Sequence, residues 1–97
     1  MPPVTRLGDN STGHPCYPAR PSVEASPNVY ANGLAIVRKN DPYDSHCCGP
    51  ACHDAVLDSG SSTVFVNGLN CGRQGDPMSC SNIDVADEHS PNVYAGG

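Results

Sequence analysis

Apolar positions in this chain fall in short, strand-like runs with turn residues between them. Val29-Tyr30-Ala31 and Val64-Phe65-Val66 each lead into Asn-Gly, at Asn32-Gly33 and Asn67-Gly68. Asn-Gly is the strongest two-residue hairpin signal, because both residues tolerate the positive φ that such a turn requires. Leu34-Ala35-Ile36-Val37 and the residues from Leu69 onward then supply the returning strands. Asp41-Pro42 and Asp76-Pro77, followed by polar residues, are expected to turn the chain out of the sheet. Hairpins are thus predicted throughout, and no helix.

The runs repeat. Ser-Pro-Asn-Val-Tyr occurs twice, at residues 26–30 and 90–94, with a looser copy in Ser62-Thr63-Val64-Phe65-Val66-Asn67-Gly68. Aligning on Val29, Val64 and Val93 gives spacings of 35 and 29 residues (64 minus 29, 93 minus 64). The alignment pairs Asn32-Gly33-Leu34 with Asn67-Gly68-Leu69, Arg38 with Arg73, and Asp41-Pro42 with Asp76-Pro77. The N-terminus carries the tail half of the same unit in Arg6-Leu7-Gly8-Asp9. Half a unit, two full units and a final half imply three similar modules about a pseudo-threefold axis.

Composition makes this a poorly cored chain. Its 97 residues are one domain, 1–97, with no Trp and a single Phe, against ten Gly and ten Pro. Gly plus Pro is roughly twice the usual share, which excludes a helical bundle and calls for a staple beyond the apolar core. Six cysteines could provide it. Residues 1–20 have no apolar signal-peptide core, so synthesis in a reducing cytoplasm is expected, where clustered Cys and His bind metal more often than they form disulfides. A net charge of −5 with only five scattered Lys and Arg argues against nucleic acid as a partner. Asp84, Asp87 and Glu88 read as a solvated acidic loop. No run approaches the ~18 apolar residues of a membrane span.

The repeat places a metal-capable side chain at one point of each module. His14 lies five residues after Asp9, His46 five after Asp41, and Cys80 four after Asp76. His53 is the fourth candidate, with Cys47, Cys48 or Cys52 as alternatives. Cys16 and Cys71 read as small buried hydrophobes or free thiols, and His89 as a solvated turn residue. Three imidazoles and one thiolate suit Zn²⁺, with Fe²⁺ the alternative. Four protein ligands leave no position for a water nucleophile, so the metal is structural and its binding contributes to folding.

These residues resemble the PAAR-repeat proteins over essentially the whole chain. The resemblance rests on Arg6-Leu7-Gly8-Asp9 with His14, on residues 60–68, and on Arg73-Gln74-Gly75-Asp76-Pro77-Met78-Ser79-Cys80. The Pro-Ala-Ala-Arg motif itself is degenerate, at residues 34–38 and 69–73. The resemblance implies a mostly β fold with much irregular structure, a small cone of short hairpins with a metal near its apex. Its ligands would be His14, His46, His53 and Cys80. It further implies a tip that caps a trimeric β-helical spike, VgrG-like or from a phage tail, one tip per trimer, and sharpens it for piercing a cell envelope. The expected location is a virion tail tip or the exterior reached through type VI secretion, with only transient membrane contact and no small-molecule substrate. With three residues before the first unit and none after Gly97, a bare tip without cargo is expected. Strand edges in the base, around Val29, Tyr30, Val64, Phe65, Val66, Val93 and Tyr94, are expected to meet the spike.

Two rivals stand beside this reading. Cys47 and Cys48 flanking His46, with Asp54 after His53, suggest a thiol enzyme, but neighbours on a strand point to opposite faces. A secreted disulfide-rich binding module is the other.

Overall fold

The structure is a computed structural model, and it describes residues 1–96. Among them the chain forms eight short strands and no helix. The strands pair in four two-stranded antiparallel sheets, all hairpins of sequence neighbours. The first is β1 (Tyr30–Ala31) with β2 (Leu34–Ala35), and β3 (Pro42–Cys48) pairs with β4 (Ala51–Val56). Then β5 (Phe65–Val66) pairs with β6 (Leu69–Asn70), and β7 (Pro77–Met78) with β8 (Ser81–Val85). The molecule is elongated, 37 × 23 × 22 Å.

The predicted Asn-Gly turns form as expected. Asn32 and Gly33 have φ of 56° and 78°, and Asn67 and Gly68 have 55° and 79°, the double positive φ of a type I′ turn. The Asp-Pro turns do not. Each Asp instead closes a turn that begins three positions earlier at Arg, and Pro42 and Pro77 open the next strands, β3 and β7. In Arg6-Leu7-Gly8-Asp9 the Asp9 amide donates to the Arg6 carbonyl, and Asp41 and Asp76 repeat this with Arg38 and Arg73 at 3.0 and 3.1 Å. The third residue of each turn, Gly8, Asn40 or Gly75, has φ of 77–90°. Each Asp carboxylate also takes the backbone N–H of its Arg and two N–H groups of its guanidinium. Such bidentate pairs are rigid as well as strong, and they fix the exit direction of the strand that follows.

The chain ends complete a third copy of the hairpin. Ile36 N donates to Val29 O at 3.0 Å and Cys71 N to Val64 O at 3.0 Å, and Val4 N donates to Val93 O at 2.9 Å. Ser26, Ser61 and Ser90 each accept the backbone N–H of the valine three residues on, all at 2.9 Å. Ser61, one residue before the looser copy read from the sequence, is therefore the matching serine.

The core follows the same correspondence. One cluster is built from Ala31, Val66 and Ala95 with Val4, Ile36 and Cys71, two sets of three matched positions, and Val29 and Val93 pack against it. Val66 thus belongs to the interior, which removes it from the predicted base surface. A second cluster holds Val37, Tyr43, Ala55, Leu57, Met78 and Ala86, with Tyr43, Ala55 and Met78 contributed by the two longer hairpins.

Candidate metal centre

Beyond the second cluster, β3 and β4 continue without apolar support. After an irregularity between Tyr43 and His46, the pairing resumes as His46↔His53, Cys47↔Cys52 and Cys48↔Ala51. A directly opposed pair projects from the same face of the hairpin, so His46 and His53 stand side by side. His14 lies in a turn closed by reciprocal hydrogen bonds with Tyr17, and Cys80 in the connection from β7 to β8. The four side chains converge, with one donor atom from each within 4.8 Å of all the others.

Two of the distances match the edges of a tetrahedral shell around one small cation. Nε2 of His14 lies 3.3 Å from Nε2 of His53, and Cys80 Sγ lies 3.8 Å from His14 Nε2. A tetrahedral shell with bonds of ~2.0–2.1 Å to nitrogen and ~2.3 Å to sulfur has edges of roughly 3.3 and about 3.6 Å. The His46–His53 separation, 2.7 Å between Nε2 atoms, is shorter and matches an N–H···N hydrogen bond. His46 donates from Nδ1 to the Pro18 carbonyl at 2.8 Å, which orients the ring and turns Nε2 toward the cluster. His53 is held below the ordinary histidine range, first by loss of solvent and then by His46, Arg20 and His14. A neutral imidazole is the form that binds metal. The predicted ligands His14, His46, His53 and Cys80 are therefore all positioned to hold a metal ion.

Three further features were hidden in the sequence. Tyr17 lays its ring against all three imidazoles, with centroids 4.3 Å from His53, 4.8 Å from His14 and 4.9 Å from His46. Arg20 is buried and ion-paired at 2.9 Å with Asp84, which is fully buried. That corrects the reading of Asp84 as part of a solvated loop. Finally, Cys16 bonds to Cys48 and Cys47 to Cys52. Cys16 is thus neither a buried hydrophobe nor a free thiol. The disulfides accompany the metal-capable cluster and do not replace it. Cys71 matches its expectation as a free, buried cysteine, its thiol pushed by burial up to about 11. His89 is half-buried and bonded to the Ser90 carbonyl, apart from the cluster.

Fold and site together define a small all-β protein of hairpins with a His₃Cys cluster formed by its two longer hairpins and the turn at His14. The PAAR motif family model matches residues 12–83, and the chain belongs to this family. PAAR proteins are structural parts of phage tails and type VI secretion systems, associated with VgrG-like spikes. Comparison with curated proteins finds no match.

Proposed function

We propose that this protein is a zinc-clamped spike tip that caps a trimeric β-helical spike and sharpens it for piercing a cell envelope. The observation that carries this reading is the pairing of a closed four-donor cluster with matched aromatics on another part of the fold. Tyr30, Phe65 and Tyr94 each follow the aligned valine, and they are 59%, 55% and 51% exposed. Three large apolar side chains at corresponding positions are an unusual surface for so small a chain, and suit a partner presenting three equivalent chains. Val64 is exposed beside Phe65, while Val29 and Val93 support the surface from within.

The recurring bonds support an arrangement of three modules about one axis. Asn32 Oδ1 accepts from Ser90 and Arg6, and Asn67 Oδ1 accepts from Ser26 and Arg38. In the third place, where the chain has Gly96 for Asn, the Gly96 carbonyl accepts from Ser61 and Arg73. A cyclic set of links gives each edge of a trimer the same footing.

Zinc is the favoured ion because it takes three imidazoles and a thiolate without redox change or geometric preference. The cluster then serves as a staple, since four protein donors leave no site for a reacting water. Catalysis is not part of the function. Tip, spike and envelope place the protein at a virion tail tip or on a type VI secretion spike.

The test is assembly with a truncated trimeric β-helical spike. Light scattering should give one tip per trimer, and Tyr30→Ser, Phe65→Ser and Tyr94→Ser together should abolish the complex while zinc stays bound. No complex with any such spike, or three tips per trimer, would remove the capping role.

A further inference from the structure

Arg20 and its ion-pair partner Asp84 together reach every segment that carries a ligand. Nη2 donates to Cys80 Sγ at 3.2 Å and to Asp84 Oδ2 at 2.9 Å. Nη1 donates to the carbonyl of His53, at 3.4 Å, and to that of Asp44 on β3, two residues before His46, at 3.3 Å. Asp84 in turn accepts, at Oδ1, the backbone N–H of Gly13, the residue before His14, at 2.9 Å. The contacts thus touch one ligand sulfur, one ligand's own carbonyl and the backbone one and two residues from the other ligands.

The pair is not a generic stabiliser. Arg20 and Asp84 occupy corresponding places in two modules, two residues before Ser22 and Ala86. The third module has Ala55 there, two before Leu57. The amides of Leu57 and Ala86 donate to Asp41 and Asp76, as Ser22 does to Asp9, which establishes the correspondence. Where the fold would accept an apolar residue, as it does at Ala55, two modules place opposite buried charges beneath the donor cluster. A buried ion pair rarely improves stability over apolar residues of similar volume, so another use is indicated.

We propose that Arg20 and Asp84 are positioning residues that preset the four donors for the ion, a role that rests on the metal reading above. Outer contacts of this kind fix the orientation of ligands, and removing them typically weakens metal binding about 10–100-fold. Arg20 contributes through geometry, by holding Cys80 Sγ and the His53 backbone at one guanidinium plane. Asp84 fixes that plane and draws the His14 turn to it. The Arg20 Nε has no protein partner, so all of its bonding to protein is made by the two terminal nitrogens that face the ligand segments.

The test measures zinc affinity by chelator competition in the oxidised protein, for wild type, Arg20→Met and the pair Arg20→Met with Asp84→Leu. Thermal unfolding of each metal-free protein and the visible spectrum of each cobalt-loaded one are recorded alongside. Both variants should bind zinc about 10–100-fold more weakly, with an altered cobalt spectrum, while the metal-free paired variant still unfolds cooperatively. Undiminished affinity in a folded variant overturns the positioning role while leaving the metal centre intact. A wild type that takes up no metal overturns the reading of the centre, and this inference with it. If the metal-free paired variant is unfolded, Arg20→Lys decides. It keeps the charge but cannot reach all four acceptors, so a changed cobalt spectrum supports positioning and an unchanged one refutes it.

Discussion

The two ends of this molecule are held together by different physics. At the Asn-Gly end the same serine bonds, Arg–Asp turns and small apolar triplets recur, and nothing is covalent. At the histidine end there is little apolar cover. Tyr17, a buried ion pair, two disulfides and four metal-capable donors take its place. The difference teaches where a narrow chain stores its stability. Repetition suffices where matched segments bury alanine and valine against one another, but hairpins with little apolar area need stronger links.

Removing the strongest link should separate the ends most clearly. With free zinc at a thousand times Kd, binding adds about 4 kcal/mol. His46→Ala should lose most of that, seen as a large fall in Tm in the presence of zinc and a clearly smaller one in its absence, where only the packing and the Pro18 bond of this buried side chain are lost. An equal fall in both would mean that His46 acts as packing alone.

The disulfides come next. Cys16–Cys48 closes a separation of 32 residues and Cys47–Cys52 one of 5. On chain entropy these correspond to about 4 and about 2 kcal/mol. Cys16→Ser with Cys48→Ser should therefore lower stability in urea more than Cys47→Ser with Cys52→Ser. Amide exchange should rise at the histidine end and stay slow at Val4, Ile36 and Cys71. Exchange that rises uniformly would show that the two ends are one cooperative unit.

The Asn-Gly end is expected to respond in smaller, equal steps. Ser26→Ala and Ser90→Ala should each lose about 1–2 kcal/mol, since each strands the backbone N–H of a valine and removes one of the two bonds to an Asn carbonyl. Zinc affinity should not change. Unequal losses would break the correspondence between modules.

The smallest effect is in alkali. Folding raises the Cys71 thiol from 9.0 to about 11, mainly by burial, with Arg73 opposing and Asp76 adding. The folded state therefore holds a proton that the unfolded state releases first. The contribution is complete below pH ~9 and declines as pH rises toward 11. Cys71→Val, which copies Val4 at the matched position, should flatten that decline in a urea titration.

How far the sequence was legible follows the same division. The Asn-Gly hairpins, the aligned valines and the ligand offsets after Asp9, Asp41 and Asp76 were readable because each repeats at nearly fixed spacing. Arg20 and Asp84 were not. Their correspondence is hidden by return strands that arrive 13, 16 and 10 residues after the turn aspartates, from Asp9 to Ser22, Asp41 to Leu57 and Asp76 to Ala86. An alignment anchored on those returns would have placed a cation and an anion at one buried level. The disulfide partners were unreadable for another reason, since Cys47–Cys52 depends on the register of β3 against β4 and Cys16–Cys48 on where the turn from His14 to Tyr17 meets that hairpin. Asp41-Pro42 and Asp76-Pro77 misled because the aspartate serves the turn before it, not the one after.

The most direct measurement is X-ray absorption at the metal edge of the purified, spike-competent protein, with its metal content. The account predicts one zinc per chain, surrounded by three nitrogens and one sulfur. A metal content below about half an equivalent, or a shell with two or more sulfurs, would contradict it.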